Sequence, residues 1–438
     1  MSSFGIALGI LVVLYGAVVV RQVISRGPPL WSLFLVAALA LLVTETLPGS
    51  EALGSVSAPV LLFLFGMFVF GVALDEAGVL AHLARYLAGR GRTPADLLFY
   101  LFLAMGLLST VLVNDAIAVL GTPLLIGLAR RIQKPVAPFL LTLAYSVTVG
   151  SVPTPMGNPQ NLLVALESGL PHPLTTFLVY LLAPTLVNLL LGGLFVRHYL
   201  GRKHLGLQWS HGSEPPPRIP FFPGGDWPRR IRSHPSLFLF PATMAVGLAT
   251  GVGGAAGLLP SVPLYQVVLA GGLVTLLLES HRVTLLKKVD WGTLLLFVGL
   301  FVVMGGMVAG GVVARLADLV PLAPAPGGGL SATGLLSLMG STLGAVQIFS
   351  NVPWVALSLH ILQAQGFGGG NPRVWMALAA SATLGGNLTF LGAASNLIIV
   401  NQAEREKVRL RLGEFVRYGV PLTALTTAVV LGFLLVGL

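Results

Sequence analysis

No cysteine occurs anywhere in the 438 residues, so disulfides, thiolate metal sites and cysteine nucleophiles are all excluded. Charge is nearly as scarce: Asp, Glu, Lys and Arg make up 9% of the chain, where a soluble domain carries roughly 25%. The period-two alternation of a lipid-facing barrel is missing. So is a Gly-rich phosphate loop ending in Lys-Ser or Lys-Thr, which argues against an ATP-driven pump. Ser, His and Asp assemble into no nucleophilic arrangement, and the eight histidines are scattered without metal-ligand spacing. These absences lead us to expect no enzyme chemistry, no cofactor and no resident metal.

What is present suits hydrocarbon. Hydrophobic residues make up 55% of the chain. Apolar runs able to span at about 20 residues per helix lie near 4–20, 30–47, 58–74, 136–165, 174–196, 236–258, 263–280, 291–310, 374–400 and 418–438. Two further stretches, 96–129 and 333–362, pattern as pairs of short helices. The expected fold class is an all-α polytopic membrane protein. The first run is followed by Arg21 and preceded by no basic residue, opposite to a secretory signal, so it reads as a retained span with its N-terminus outside.

Basic residues set the orientation. Of 25 Lys and Arg, 23 fall within 21–29, 75–95, 130–135, 197–235, 281–290 and 401–417. The positive-inside rule makes these segments cytoplasmic in a cell membrane and leaves both termini outside. The net charge of +10 is then a rim facing lipid headgroups, not a nucleic-acid surface. Arg197 to Pro235, rich in Pro, Gly and basic residues, reads as a cytoplasmic linker between residues 1–196 and 236–438. Each side holds five spans and one hairpin, and an odd number of crossings gives two inverted repeats.

Residue pairs support the duplication. Gly66 falls opposite Gly299 and Gly78 opposite Gly311, 233 positions apart in both cases. Thr154, Gly157, Gln160 and Asn161 fall opposite Thr389, Gly392, Ser395 and Asn396, 235 positions apart. After the third span Leu80, Leu83, Tyr86 and Leu87 share a face, which predicts an interfacial amphipathic helix with a shorter counterpart at 311–320.

The chemistry concentrates in four polar interruptions of the apolar pattern. Asn114 and Asn161 lie 47 positions apart, and Asn351 and Asn396 lie 45 apart. TVLVNDAIAVLGTP begins and ends near basic segments, so it should be a re-entrant hairpin turning at Val113-Asn114-Asp115. Its counterpart, QIFSNVPWVAL, should enter from outside and turn at Ser350-Asn351-Val352, with Pro353 suited to a first helical turn. TPMGNPQN, containing Thr154, Gly157, Asn158, Gln160 and Asn161, should unwind one span at mid-depth. TFLGAASN, containing Thr389, Gly392, Ser395 and Asn396, should unwind another more mildly. Non-helical polar backbone at that depth is tolerated only where protein buries it or a watery cavity receives it, and paired breaks in two halves point to a substrate site. Kinks alone would explain the prolines but not four symmetric asparagines. Asp115 is the carboxylate expected deepest in the membrane, either carrying a proton or cation or capping a helix start.

At these residues the chain resembles the ion transporter superfamily, more narrowly its ArsB/NhaD-like permease branch. LVNDAIAVLGTP, PTPMGNPQNLLV, VDWGTLLLFVGLFV, IFSNVPWVALSL and GGNLTFLGAASNLIIV look like family signatures in family order. The resemblance implies a homodimer whose scaffold holds the dimer contact while hairpins and unwound spans move as an elevator. It also implies that Asn114 and Asn351 correspond to hairpin-tip asparagines of Ser-Asn-Thr motifs in related dicarboxylate/sodium symporters, where sodium would bind. Val113, Asp115 and Val352 replace hydroxyls of that motif, which favours proton coupling over sodium-coupled dicarboxylate transport. The expected function is secondary transport of a small inorganic oxyanion or its neutral acid, coupled to protons. A sodium/proton antiporter or a sodium-coupled symporter of the same fold is the alternative.

Overall fold

The computed structural model describes residues 2–24, 27–205, 233–260, 262–319 and 330–436, and every regular element among them is a helix. Before residue 206 the chain forms α1 (Ser3–Ile24), α2 (Leu30–Val43), α3 (Gly49–Ser55), α4 (Ala58–Glu76), α5 (Val79–Ala88), α6 (Pro94–Ser109), α7 (Asn114–Arg131), α8 (Ala137–Gly150) and α9 (Pro159–Glu167). It then forms α10 (Pro173–Leu205), whose course includes π-helical turns. After residue 232 come α11 (Ser236–Ala255), α12 (Leu264–Leu278), α13 (Arg282–Lys288), α14 (Trp291–Ala309), α15 (Val312–Leu319), α16 (Ala332–Phe349), α17 (Asn351–Ala364), α18 (Pro372–Gly385), α19 (Ala394–Arg405) and α20 (Leu412–Val436). Long and short helices follow in the same order in both series. Short amphipathic helices form at both expected places, as α5 and α15.

Seven of the described helices are long and apolar enough to cross a membrane, so the chain is a multi-pass membrane protein. Four expectations need correcting. The runs 30–47 and 263–280 hold helices of only 14 and 15 residues, rising about 21–23 Å at 1.5 Å per residue, so each helix stops before its apolar run does. In the first of these runs Glu45 adopts a positive φ of 53° and stops the helix. Arg197–Leu205 is helical and continues α10, so the polar linker starts later than Arg197, and its residues 206–232 lie outside the described ones. The turn of the first hairpin sits at 110–113, so Asn114 and Asp115 already belong to the first turn of α7.

The paired glycines have physical reasons. α4 packs on α12, and α14 packs on α2. A Cβ on Gly66 would lie 2.7 Å from the Val268 carbonyl oxygen, and one on Gly299 would lie 2.9 Å from the Phe34 backbone. Both glycines therefore permit close helix crossings, as in membrane packing generally. Gly78 and Gly311 instead end α4 and α14 in the left-handed region, at φ 71° and 73°.

The same exchange of partners frames the site. α6 packs on α8 and α16 on α18, so each hairpin lies beside the broken span of its own series. The second arm of each hairpin reaches across to the other series: α7 packs on α19, and α17 packs on α9.

Candidate substrate and ion site

The first broken span leaves helix after Gly150 and resumes at Pro159. Two prolines cannot supply N–H groups within Thr154-Pro155-Met156-Gly157-Asn158-Pro159, so side chains take over the backbone. The Asn161 amide donates to the carbonyls of Ser151, Val152 and Thr154 at 3.0, 3.0 and 3.1 Å. Asn158 caps α9 by accepting from the Asn161 N–H at 2.8 Å and donates to the Ser151 carbonyl at 3.1 Å. Gly157 packs so tightly that a Cβ there would meet the Ser151 carbonyl oxygen at 2.4 Å.

The adjoining hairpin is tied to this break. The Thr154 hydroxyl donates to the Thr110 carbonyl and accepts from the Gly157 N–H. The Asn114 N–H donates to the Gly157 carbonyl at 2.8 Å. Thr110 in turn donates to the Gly150 carbonyl at 3.0 Å.

The second break runs from Gly386 to Ala393 and includes a short 3-10 turn at Phe390–Gly392. The Asn396 amide donates to the Gly386 carbonyl at 2.6 Å, in the way that Asn161 holds Ser151. The Thr389 hydroxyl donates to Gln347 Oε1 at 2.7 Å, and the Gln347 amide donates to the Gly385 carbonyl at 2.8 Å. Hairpin and broken span are thus joined here too. Ser350, the residue between α16 and α17, has φ 65°, a left-handed conformation uncommon for a residue with a Cβ. It brings Asn351 to the first position of α17, where Asn351 Oδ1 accepts from the Val352 N–H at 2.9 Å.

Thr383 links the two series. Its hydroxyl donates to Asn161 Oδ1 at 3.2 Å and accepts from the Asn158 and Gln160 amides at 3.3 and 3.1 Å. Sequence reasoning missed Thr383, although it stands 235 positions after Thr148 and so lies within the repeat. Asn387 was also missed. It is fully buried with neither side-chain polar atom partnered, but its counterpart Val152 carries no polar signal.

Several buried polar atoms at these breaks have no protein partner: Asn114 Oδ1, Gln160 Oε1, Ser395 Oγ, Asn396 Oδ1 and both polar atoms of the Asn387 amide. An unmet buried polar group costs about 1–3 kcal/mol, and six such atoms gather at the two breaks and the adjoining helix starts. α7, α9, α17 and α19 all begin beside the breaks, and helix starts carry partial positive charge and free N–H groups. No Lys, Arg or His is buried among the described residues. The arrangement offers hydrogen-bond donors and acceptors with partial but no full positive charge.

Asp115 stands apart from this set. Asn114 is tied to Gly157 through its backbone N–H, while Asp115, one residue and about 100° further round the helix, lines a cavity of about 320 Å³ between α4, α7 and the α13–α14 junction. It is 8% exposed. Of the two roles expected for it, helix capping draws no support, since no hydrogen bond caps the start of α7 through a side chain.

Residues 17–375 match the citrate transporter (CitMHS) family. The chain belongs to this family of ion-transporter-like permeases. The chain is 28% identical over 453 aligned positions to the silicon efflux transporter LSI3 of Oryza sativa subsp. japonica, covering 90% of each chain. It is 26% identical to the inner membrane protein YbiR of Escherichia coli, covering 86% of each. Among solved structures, the Alcanivorax borkumensis YdaH transporter superposes with a TM-score of 0.55 at 18% identity, covering 88% of this chain and 86% of that one. The membership makes this protein a membrane transporter, and the YdaH likeness extends to the fold.

Proposed function

We propose that this citrate-transporter-family protein is a secondary active transporter that moves a small inorganic oxyanion, taken up as its weakly ionised or neutral acid, in exchange or symport with protons. The observation that carries this reading is the buried polar set at four helix starts, which has unmet donors and acceptors and no cationic side chain. A fully ionised polyanion would find no counter-charge there, and desolvating it would be costly. A neutral hydroxyl-bearing acid can both donate to the free amide oxygens of Asn114, Gln160 and Asn396 and accept from helix-start N–H groups. The silicon efflux activity named for the rice relative agrees with such a solute. Asn114, Asp115, Thr154, Gly157, Asn158, Gln160, Asn161, Ser350, Asn351, Thr389, Gly392, Ser395 and Asn396 form the working set, with Thr383 and Asn387 added, and Asp115 carries the proton.

The two halves, 1–205 and 236–438, form inverted repeats, with the linker cytoplasmic and both termini outside a cell membrane. The hydrogen bonds from Thr154 to Thr110 and from Thr389 to Gln347 support a transport portion that moves as one body, an elevator, within a homodimer. Sodium coupling is the second reading, favoured by the unpartnered amide oxygens at Asn114 and Asn396. Purified protein in proteoliposomes, given silicic acid or arsenous acid with proton and sodium gradients imposed separately, tests both. Solute flux driven by a pH gradient alone is expected; flux that responds only to sodium would overturn proton coupling, and no flux of either acid would overturn the substrate class.

A further inference from the structure

We propose that the cavity between α4, α7 and the α13–α14 junction is a water-filled cytosolic vestibule that delivers protons to Asp115; this rests on the reading of Asp115 as the proton carrier. The cavity brings together Asp75 at the end of α4, Asp115 in the first turn of α7, Lys288 at the end of α13 and Asp290 at the start of α14, across walls of Phe68, Val72 and Val119. Its volume of about 320 Å³ holds several waters, each of which occupies about 30 Å³ in the liquid. Asp115 is more than nine-tenths buried, lines this space, and has no hydrogen bond or ion pair among the described residues.

The other charges are arranged differently. Asp290 caps α14 by accepting from the Thr293 N–H at 3.0 Å through Oδ1 and from the Thr293 hydroxyl at 2.6 Å through Oδ2, so both its oxygens are engaged at the helix start while the residue stays exposed. Lys288 pairs with Glu76 at the rim, and that hydrogen bond raises the Lys288 pKa above its ordinary value, keeping the ammonium charged. The described lining comes from α4, α7 and residues 288–290, so the ionisable groups facing Asp115 across the cavity are Asp75, Lys288 and Asp290. The three carboxylates do not form a group able to hold a metal ion. That spacing suits relay through water rather than chelation.

The basic segment 281–290 places the mouth on the cytosolic side. Carboxylates at a cavity mouth, here the exposed Asp290 and the half-buried Asp75, raise the local concentration of cations, protons included. Asp115 therefore meets the cytosol through a path separate from the asparagine-lined site, so proton and solute need not share one entrance.

The cysteine-free chain makes the test direct. Val72→Cys and Val119→Cys, each alone, are exposed to an impermeant cationic methanethiosulfonate reagent in inside-out and right-side-out vesicles, with Val36→Cys on the outer face of α2 as the lipid-facing comparison. Labelling of Val72→Cys and Val119→Cys from the cytosolic side only is expected, with Val36→Cys unreactive. Neutralising the rim with Asp75→Asn and Asp290→Asn together should slow the cationic reagent severalfold and leave a neutral reagent unchanged, since Asn at 290 keeps an oxygen for the α14 cap. The same double variant should lose most pH-gradient-driven flux while solute exchange at equal pH persists. No labelling from either side, or labelling from outside, would overturn the vestibule; unchanged gradient-driven flux in the double variant would overturn its role in proton delivery. Labelling needs no solute, so its outcome is independent of whether the substrate class is right.

Discussion

The Thr383 hydroxyl donates to Asn161 Oδ1 at 3.2 Å, and this one contact joins the broken span of the first series to the helix that enters the break of the second. The Asn158 and Gln160 amides both donate to the Thr383 hydroxyl oxygen. Thr383→Val keeps the shape and removes the hydroxyl, leaving those three side chains with fewer partners in a fully buried place. We expect a loss of about 1–3 kcal/mol in stability and a larger loss of transport, with Thr383→Ser restoring both. Thermal unfolding in detergent and flux in proteoliposomes measure the two effects; a Val variant with normal stability and flux would remove Thr383 from the site.

The backbone architecture was more legible than this contact. Repeats of Gly66 with Gly299 and Gly78 with Gly311 are visible in the chain because close crossings and left-handed turns admit few residues besides glycine. The asparagines were visible because polar groups inside apolar runs are costly unless met. Thr383 was hidden, since one hydroxyl among Ala, Ser and Thr in a membrane helix is ordinary and can bond to its own backbone. The lengths of α2 and α12 were hidden for a related reason: an apolar run continues past the residue where the helix stops. Which face Asp115 takes also depends on tertiary packing, because its neighbour Asn114 is held by a backbone bond to Gly157.

Glycine substitution separates the two kinds of paired position. Gly66→Ala and Gly299→Ala force a Cβ against opposing backbone at 2.7 and 2.9 Å, and overpacking of this kind costs about 1–3 kcal/mol. Gly78→Ala and Gly311→Ala meet nothing within 4 Å and lose only the left-handed preference, about 1–2 kcal/mol. Gly127→Ala, with open space around it and a helical backbone, should be neutral or slightly stabilising. Melting temperatures of the five variants test the order; equal melting points for Gly66→Ala and Gly127→Ala would contradict the close crossing of α4 and α12.

Orientation can be read with single cysteines in the same background. Ser331 lies exposed at the start of α16, where its hydroxyl accepts from the Gly334 N–H at 3.1 Å, and Ser213 belongs to the polar linker. Ser331→Cys should react with an impermeant thiol reagent from outside and Ser213→Cys only from the cytosol. Reaction of both from one side would end the inverted-repeat reading, because the number of crossings between them would then be even.

Asp115→Asn addresses coupling. Asn keeps the shape and one oxygen acceptor but cannot release a proton near neutral pH, and no hydrogen bond of Asp115 is lost to it. Folding should therefore survive, read as an unchanged elution profile and a melting temperature within a few degrees of the parent. Flux driven by a pH gradient should fall to background. Exchange of solute at equal pH should persist, because a loaded carrier can return loaded and need not reset through a differently protonated empty state. If the Asn variant retains gradient-driven flux with the parent's pH dependence, Asp115 does not carry the proton. If instead it loses exchange and gradient-driven flux equally, the carboxylate contributes to solute binding or to the moving interface, and the separation between the Asp115 cavity and the asparagine-lined site would have to be abandoned.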